Sequence, residues 1–221
     1  MRRRDFLAAA AAVAAAPLPA LAEVKTYPLA KAFPYLAGYL SLPASERNRF
    51  LLVYRAYRNR RPVSDVRATI VGAGGARAPL ALDGHGIVER LPTLAELKSD
   101  AKIEVEDPQA VLGPELRAAV PLTTRIDVGE LAAALAQANA AIAKLAGALS
   151  FAAPKLGVAY FPDAGEGRAM TGDGLARPLP VFAAPIGEVP YFELASLAGA
   201  RLVLLDKAPS RVLLGGRPRT A

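Results

Sequence analysis

The 221-residue chain contains no cysteine, no tryptophan, one histidine (His85) and two methionines. Without cysteine it forms no disulfide, and it has no thiol to carry a lipid anchor. It also lacks the usual ligands of haem, iron–sulfur and copper centres. A zinc site would need His85 together with carboxylates, which is an uncommon ligand set. We therefore expect neither a metal nor a cofactor.

The sequence also lacks an apolar run of the roughly 20 residues that a membrane-spanning helix needs. The longest such stretch, from Phe6 to Ala16, follows the arginines Arg2–Arg4 and precedes two prolines and the small-residue site Ala20-Leu21-Ala22. A basic start, a short apolar segment and a small-residue site are typical of a cleaved signal peptide. We predict cleavage after Ala22, with Ala20 as the second small residue, and no membrane span in the remaining chain.

The run Arg3-Arg4-Asp5-Phe6-Leu7 resembles the twin-arginine (Tat) motif of exported bacterial proteins. The resemblance covers about a tenth of the chain and concerns targeting alone. It implies a protein that crosses the membrane already folded and works in the periplasm or outside the cell. Removing residues 1–22 removes three arginines and one aspartate, so the formal net charge falls from +7 to +5.

After this segment the pattern indicates short strands separated by Gly- and Pro-rich turns. The clearest strands are Phe50–Tyr57, Val66–Val71, Lys102–Glu106, Leu156–Phe161 and Arg201–Leu205. Such an order favours an α+β protein made mainly of antiparallel, sandwich-like sheets. We expect a β-rich half at residues 23–126 and a second half at residues 127–221, either as two units or as one domain.

One long helix is predicted at about residues 127–149. Asp127 is a suitable N-cap, and Glu130 stands where a capping box places its acidic partner. An apolar stripe follows at helical spacing, and Pro154 ends the pattern. The stripe consists of Leu131, Leu135, Ala138, Ile142, Leu145 and Leu149.

The two halves contain similar marks in the same order. Asp83-Gly84 and the later run Pro108–Gly113 match Asp173-Gly174 and Pro209–Gly215. A duplicated β unit bridged by the long helix explains this order. Similar turns in any alanine-rich chain explain it equally well.

Conventional catalytic groups are scarce. His85 lies between two glycines, which predicts an exposed hairpin tip rather than a general base. An enzyme would therefore have to use carboxylates alone, such as a glycan hydrolase with two acids about 5 to 10 Å apart. Its candidates are Glu104, Glu106, Asp107, Asp163, Glu166 and Asp173.

The most unusual local feature is a basic segment in which arginines alternate with aromatic residues. On a strand, Arg55 and Tyr57 share one face, while Tyr54 shares the other with Phe50 and Leu52. Arginine binds phosphate and carboxylate bidentately, so the segment is a candidate anion-binding surface. The alternative is a solvated edge strand that resists aggregation. The candidate ligand-binding residues are Arg47, Arg49, Tyr54, Arg55, Tyr57 and Arg58.

Together these features predict an exported, non-enzymatic binding or accessory protein of the cell envelope. The expected partner is an anionic envelope lipid or polymer, or an envelope protein, and nucleic acid is excluded by the compartment. The alternatives are a carboxylate-dependent glycan hydrolase and an interaction subunit of an envelope complex. The second of these predicts an exposed apolar patch.

Overall fold

The computed structural model describes residues 24–146, 155–184, 187–197 and 199–218. The predicted signal peptide and its arginine pair lie outside these residues. The helices are α1 (Leu29–Ala32), α2 (Leu36–Ser41), α3 (Leu94–Lys98) and α4 (Val128–Ala146), with a 3-10 turn at Ala44–Glu46. The strands are β1 (Lys25–Pro28), β2 (Phe50–Arg58), β3 (Arg61–Pro62), β4 (Ala68–Val71), β5 (Arg77–Pro79), β6 (Lys102–Val105), β7 (Ala110–Ala118), β8 (Arg125–Asp127), β9 (Val158–Tyr160), β10 (Gly167–Thr171), β11 (Ala176–Pro178), β12 (Val181–Ala184), β13 (Gly187–Glu193), β14 (Ala200–Leu205) and β15 (Leu213–Gly215).

The described strands form three antiparallel sheets, so the predicted α+β class is confirmed. A four-stranded sheet in each half has the order β1-β6-β4-β5 or β11-β10-β14-β8. A central, curled sheet contains strands from both halves in the order β12-β13-β9-β15-β7-β2-β3. Among the residues that the structure describes, no helix combines the length and the apolar character that a membrane crossing requires.

Strand β2 shows why its sequence forms a two-faced strand. Phe50, Leu52 and Tyr54 alternate along it and are each at most 6% exposed, because they point into the core beside the helices. The residues that alternate with these, namely Leu51, Val53, Arg55 and Tyr57, lie on the opposite face of the central sheet. The predicted division of Arg55 and Tyr57 from Tyr54 is confirmed.

Helix α4 begins one residue after Asp127, whose carboxylate accepts a 3.0 Å hydrogen bond from the backbone N–H of Glu130. This bond satisfies a donor that the first turn leaves free. The buried residues of the helix are Val128, Leu131, Ala134, Leu135, Ala138 and Ala141. The predicted stripe is correct through Ile142, which packs against the core, but differs at Leu145, which is 41% exposed. Residues 147–149, where the predicted helix ends, lie outside the described residues.

The connectivity of the two halves repeats. In the first half, β4 pairs with β5 and β6, and β6 pairs with β1; in the second, β10 pairs with β11 and β14, and β14 pairs with β8. Individual contacts repeat as well. The N–H of Leu80 donates to the carbonyl of Ala68, and the N–H of Leu179, 99 residues later, donates to Gly167 at the same 2.8 Å. In the first half, α1 and α2 lie between β1 and β2 along the chain. In the second half, α4 lies between β8 and β9 in the same position.

The predicted match between Asp83-Gly84 and Asp173-Gly174 is wrong. The turn at Asp173-Gly174, between β10 and β11, corresponds instead to the turn at Gly74-Gly75, between β4 and β5. Gly75 and Gly174 both have positive φ, at 82° and 86°. Turn residues alone do not show which turns correspond, because each half contains several Gly-rich turns and glycine occurs in each for the local backbone conformation that the turn requires.

Strands β7 and β15 join the two halves. They lie side by side in the central sheet, with Leu213 opposite Arg117. Buried apolar side chains, the first at Leu29 and the last at Leu214, form one continuous hydrophobic core. This core includes residues of α4 and of all three sheets. The halves therefore share one core, and the polar face of the central sheet extends across their junction.

Candidate functional site

Three arginines from both halves meet on the polar face of the central sheet. Arg55 lies on β2, Arg117 lies on β7, and Arg211 lies two residues before the start of β15. Paired residues of adjacent strands share a face, so the pairs Arg55–Gly113 and Leu213–Arg117 place these side chains on one side of the sheet. We call Arg55, Arg117 and Arg211 the arginine cluster.

Glu115 is the carboxylate between these arginines. Its Oε1 lies 2.9 Å from Nε of Arg55 and accepts a 2.9 Å hydrogen bond from the hydroxyl of Tyr57. Its Oε2 accepts a 2.9 Å hydrogen bond from Nη2 of Arg117. The Glu115 side chain is only 9% exposed, so these contacts are screened little by solvent.

Glycine at position 113 permits this arrangement. The ring of Tyr57 lies over Gly113, and a Cβ at that position would come within 2.9 Å of the ring. The phenol therefore lies flat along β7 and reaches Glu115, two residues further on. Burial, followed by the nearby charge of Glu115, raises the pKa of Tyr57 to about 12.

Arg211 approaches the cluster from the other half. Its Nη1 donates a 3.0 Å hydrogen bond to the hydroxyl of Ser210 and lies 3.9 Å from the carboxylate of Asp163, whose side chain is 66% exposed. Burial, and next the positive charge of Arg55, lower the pKa of Arg211. A guanidinium nevertheless stays charged in proteins. The lowered pKa therefore means that burial and the charge of Arg55 make the positive charge of Arg211 less favourable than in water.

The cluster has more hydrogen-bond donors than acceptors. Among the described residues, the buried Nε–H groups of Arg55, Arg117 and Arg211 have no hydrogen-bond partner. For Arg55 the short distance to Glu115 is an ion pair in which the N–H does not point at the oxygen. Side-chain exposure is 5% for Arg55, 10% for Arg211 and 19% for Arg117. Glu115 thus contacts two of the guanidiniums and acts on that of Arg211 only through its charge, and the cluster retains unused donors.

A second acid affects the cluster at longer range. Asp83 accepts 2.8 Å hydrogen bonds from the backbone N–H groups of His85 and Ile87. Burial raises its pKa, but these bonds, with a contribution from the charge of Arg55, produce a net lowering. The Asp83 carboxylate is therefore already used in holding its own turn. His85 is exposed at this turn, as the sequence predicts.

The other predicted ligand-binding residues do not join Arg55 and Tyr57. Tyr54 lies on the core face, where its hydroxyl donates to the carbonyl of Pro34. Arg47 stacks 5.3 Å from the ring centroid of Tyr39. Arg58 pairs with Asp107 at 2.5 Å and with Asp65 at 3.2 Å.

Arg49 also lies apart, with an exposed side chain, and its backbone N–H donates to Gln137. The predicted basic segment is thus divided among separate environments. The solvated edge strand does not describe β2, which lies between β7 and β3 and buries Arg55.

The candidate catalytic carboxylates have separate partners. Glu104 pairs with Arg77, Asp107 pairs with Arg58, and Asp163 accepts a 2.6 Å hydrogen bond from Ser210. Asp173 accepts from Thr171 within the β10–β11 turn. In the described ranges, no group of three or more histidines and acids is arranged to hold a metal ion.

An aromatic group lies on the same sheet face as the arginine cluster. It consists of Tyr160, Phe182 and Tyr191, with centroids of the first 6.1 Å from Phe182 and 5.7 Å from Tyr191. The hydroxyl of Tyr160 donates a 2.6 Å hydrogen bond to the carbonyl of Gly216, which fixes its ring. All three side chains remain partly exposed.

Comparison with protein-family models, curated proteins and solved structures finds no match. The site must therefore be interpreted from its own geometry. Sequence reasoning found Arg55 and Tyr57 because they stand in one basic strand. It missed Glu115 and Arg117, which the pairing of β2 with β7 brings to Arg55, and Arg211, which arrives from the other half because β15 pairs with β7.

Proposed function

We propose that this protein is an exported, non-enzymatic binding protein of the bacterial cell envelope, and that its ligand is an anion held by the arginine cluster. The observation that supports this proposal is the set of three neighbouring buried guanidiniums, of which two pair with the one buried carboxylate and all have an unpartnered Nε–H group. Export rests on the resemblance of Arg3-Arg4-Asp5-Phe6-Leu7 to the twin-arginine motif.

The energetic argument starts from burial. A charged group in a protein interior costs free energy unless an opposite charge and hydrogen bonds compensate it. Glu115 compensates one positive charge, and Asp163 lies at the edge of Arg211 where solvent weakens its effect. An anion bound between the arginines supplies both the missing charge and the missing acceptors.

The chemistry of the donors defines the kind of ligand. Guanidinium groups bind carboxylate and phosphate oxygens through paired N–H donors, and such charge-assisted bonds are stronger than neutral ones. The arginines belong to strands of one sheet, which hold them more rigidly than loops would. The expected partner in the envelope is therefore a molecule or polymer that bears phosphate or carboxylate groups.

The direct test is calorimetric titration of the chain from Glu23 onward, which includes every described residue, with inorganic phosphate, sulfate and acetate. We expect binding by the wild-type protein and at least a tenfold loss in Arg211→Gln. Arg77→Gln is a matched control, because Arg77 is an exposed arginine paired with Glu104 on another sheet. Absence of binding by the wild-type protein, or equal losses in both variants, would overturn the proposal.

Anionic envelope material supplies the second arm of the test. Vesicles that contain phosphatidylglycerol, and isolated peptidoglycan, are compared with neutral vesicles at low and high salt. A buried anion site loses less affinity with salt than an exposed basic surface does. Retention that disappears with salt and survives Arg211→Gln would assign binding to surface charge instead of the cluster.

A further inference from the structure

One row of side chains connects the arginine cluster to the aromatic group. Across the central sheet, Arg117 pairs with Leu213, Leu213 pairs with Tyr160, and Tyr160 pairs with Tyr191. Because paired residues share a face, the four side chains stand in a line perpendicular to the strands. Adjacent strands are about 4.8 Å apart, so the backbone of Tyr160 lies about 10 Å from that of Arg117.

The two ends of this row differ in chemistry. Arg117 marks the charged end, and Arg211, two residues before Leu213, reaches the same area from β15. The other end is formed by the tilted rings of Tyr160 and Tyr191 with Phe182 beside them. Leu213 is the residue between the two ends. The row therefore passes from charged to apolar within about two strand spacings.

Close packing and a hydrogen bond hold the ring of Tyr160 in place at the aromatic end. The ring of Tyr160 lies over Gly215, where a Cβ would come within 3.0 Å of it, just as the ring of Tyr57 lies over Gly113. The hydroxyl of Tyr160 is held by the carbonyl of Gly216. A fixed, partly exposed ring offers apolar area at small cost in conformational entropy.

We propose, building on the proposed function, that the ligand is an organic anion in which a phosphate or carboxylate is joined to a flat apolar ring. The anionic group binds at Arg117 and Arg211, and the ring lies over Leu213 against Tyr160 and Tyr191. This arrangement uses the accessible parts of Arg117 and Arg211, whose side chains are 19% and 10% exposed, and covers the partly exposed aromatic group at the same time. A small inorganic anion satisfies the first requirement alone.

Matched probes separate the two parts of the ligand. Phenyl phosphate and methyl phosphate share the charged group, and phenylacetate and acetate repeat the comparison for a carboxylate. We expect the wild-type protein to bind each aromatic probe about tenfold more tightly than its small counterpart, because the ring packs against Tyr160 and Tyr191 whereas the methyl group does not. The phosphate and carboxylate pairs together identify the preferred charged group.

Variants of Tyr191 test the aromatic end. Tyr191→Ala is expected to abolish the preference for phenyl phosphate over methyl phosphate. Tyr191→Phe keeps the ring and is expected to keep the preference. Tyr35→Ala is the control, because Tyr35 is 70% exposed and far from this row. Unchanged thermal unfolding of each variant shows that the comparison is made on folded protein.

The outcomes distinguish this inference from the proposed function. If methyl phosphate binds as tightly as phenyl phosphate, or Tyr191→Ala retains the preference, the aromatic end is not part of the site and the inference fails, while anion binding stands. If none of the anions binds, the proposed function fails and this inference fails with it. A preference that requires both Arg211 and the ring of Tyr191 supports both.

Discussion

The hydroxyl of Tyr57 on β2 donates a 2.9 Å hydrogen bond to Oε1 of Glu115 on β7, across a position where Gly113 has no side chain. This bond fixes the carboxylate that pairs with Arg55 and Arg117. It also links the packing of the sheet to the charge of the site, so changes in either are expected to affect the other.

Gly113→Ala is expected to weaken both folding and anion binding. The added Cβ would lie 2.9 Å from the Tyr57 ring, and overpacking of this kind lowers the free energy of unfolding by about 1–3 kcal/mol. Urea denaturation measures this change. Gly74→Ala is the control, because a Cβ there has open space and the backbone φ is not positive. Equal stability of the two variants would contradict the close packing of Tyr57.

Stability at alkaline pH should depend on Tyr57. Its folded-state pKa is raised from 10.0 to about 12, chiefly by burial. The stabilising contribution is therefore fully present below pH 10 and is lost as the pH rises toward 12. Over that interval each proton released only on unfolding lowers the free energy of unfolding by about 1.4 kcal/mol per pH unit.

Tyr57→Phe is expected to make this decline shallower, because it removes the ionisable hydroxyl. Urea denaturation at several pH values between 9 and 12 gives the comparison. Tyr54→Phe should act similarly, since burial also raises the pKa of Tyr54. A decline in Tyr57→Phe as steep as that of the wild type would disprove the raised pKa.

Glu115→Gln is expected to destabilise the protein and to make it responsive to added anions. The variant leaves three guanidiniums without their buried carboxylate, and breaking a buried ion pair costs about 3–5 kcal/mol. Sulfate should restore part of the loss, so the rise of Tm with sulfate should be larger than in the wild type.

The control for Glu115→Gln is Glu104→Gln, in which a carboxylate paired with the exposed Arg77 is neutralised. Its Tm should change little and should show no specific response to sulfate, because exposed ion pairs contribute little to stability. A sulfate response of the same size in both variants would point to a general salt effect.

Export should require Arg3 and Arg4 together. We expect the double variant Arg3→Lys, Arg4→Lys to leave the full-length precursor inside the cytoplasm, as cell fractionation and immunoblotting would show. Arg2→Lys is the matched control, since Arg2 lies outside the paired arginines of the motif. Normal export of the double variant would show that the chain does not use the twin-arginine route.

The sequence by itself determined the features that depend on local chemistry. Alternation along Phe50–Arg58 specifies a strand with Tyr54 on one face and Arg55 on the other, because successive side chains of a strand point to opposite sides. Asp127 specifies the start of α4 through a hydrogen bond to a residue three positions away. The α+β class, with antiparallel strands and one long helix, follows from these local patterns.

Tertiary structure alone decided which distant residues meet. The sequence shows Arg55 in a basic segment, but the segment divides, and Arg58 pairs with Asp107 while Arg55 is buried. Glu115 reaches Arg55 because β7 pairs with β2, and Arg211 joins them because β7 and β15 become neighbours at the junction of two repeated halves. No local pattern encodes that pairing, since it arises from burying both halves against one core.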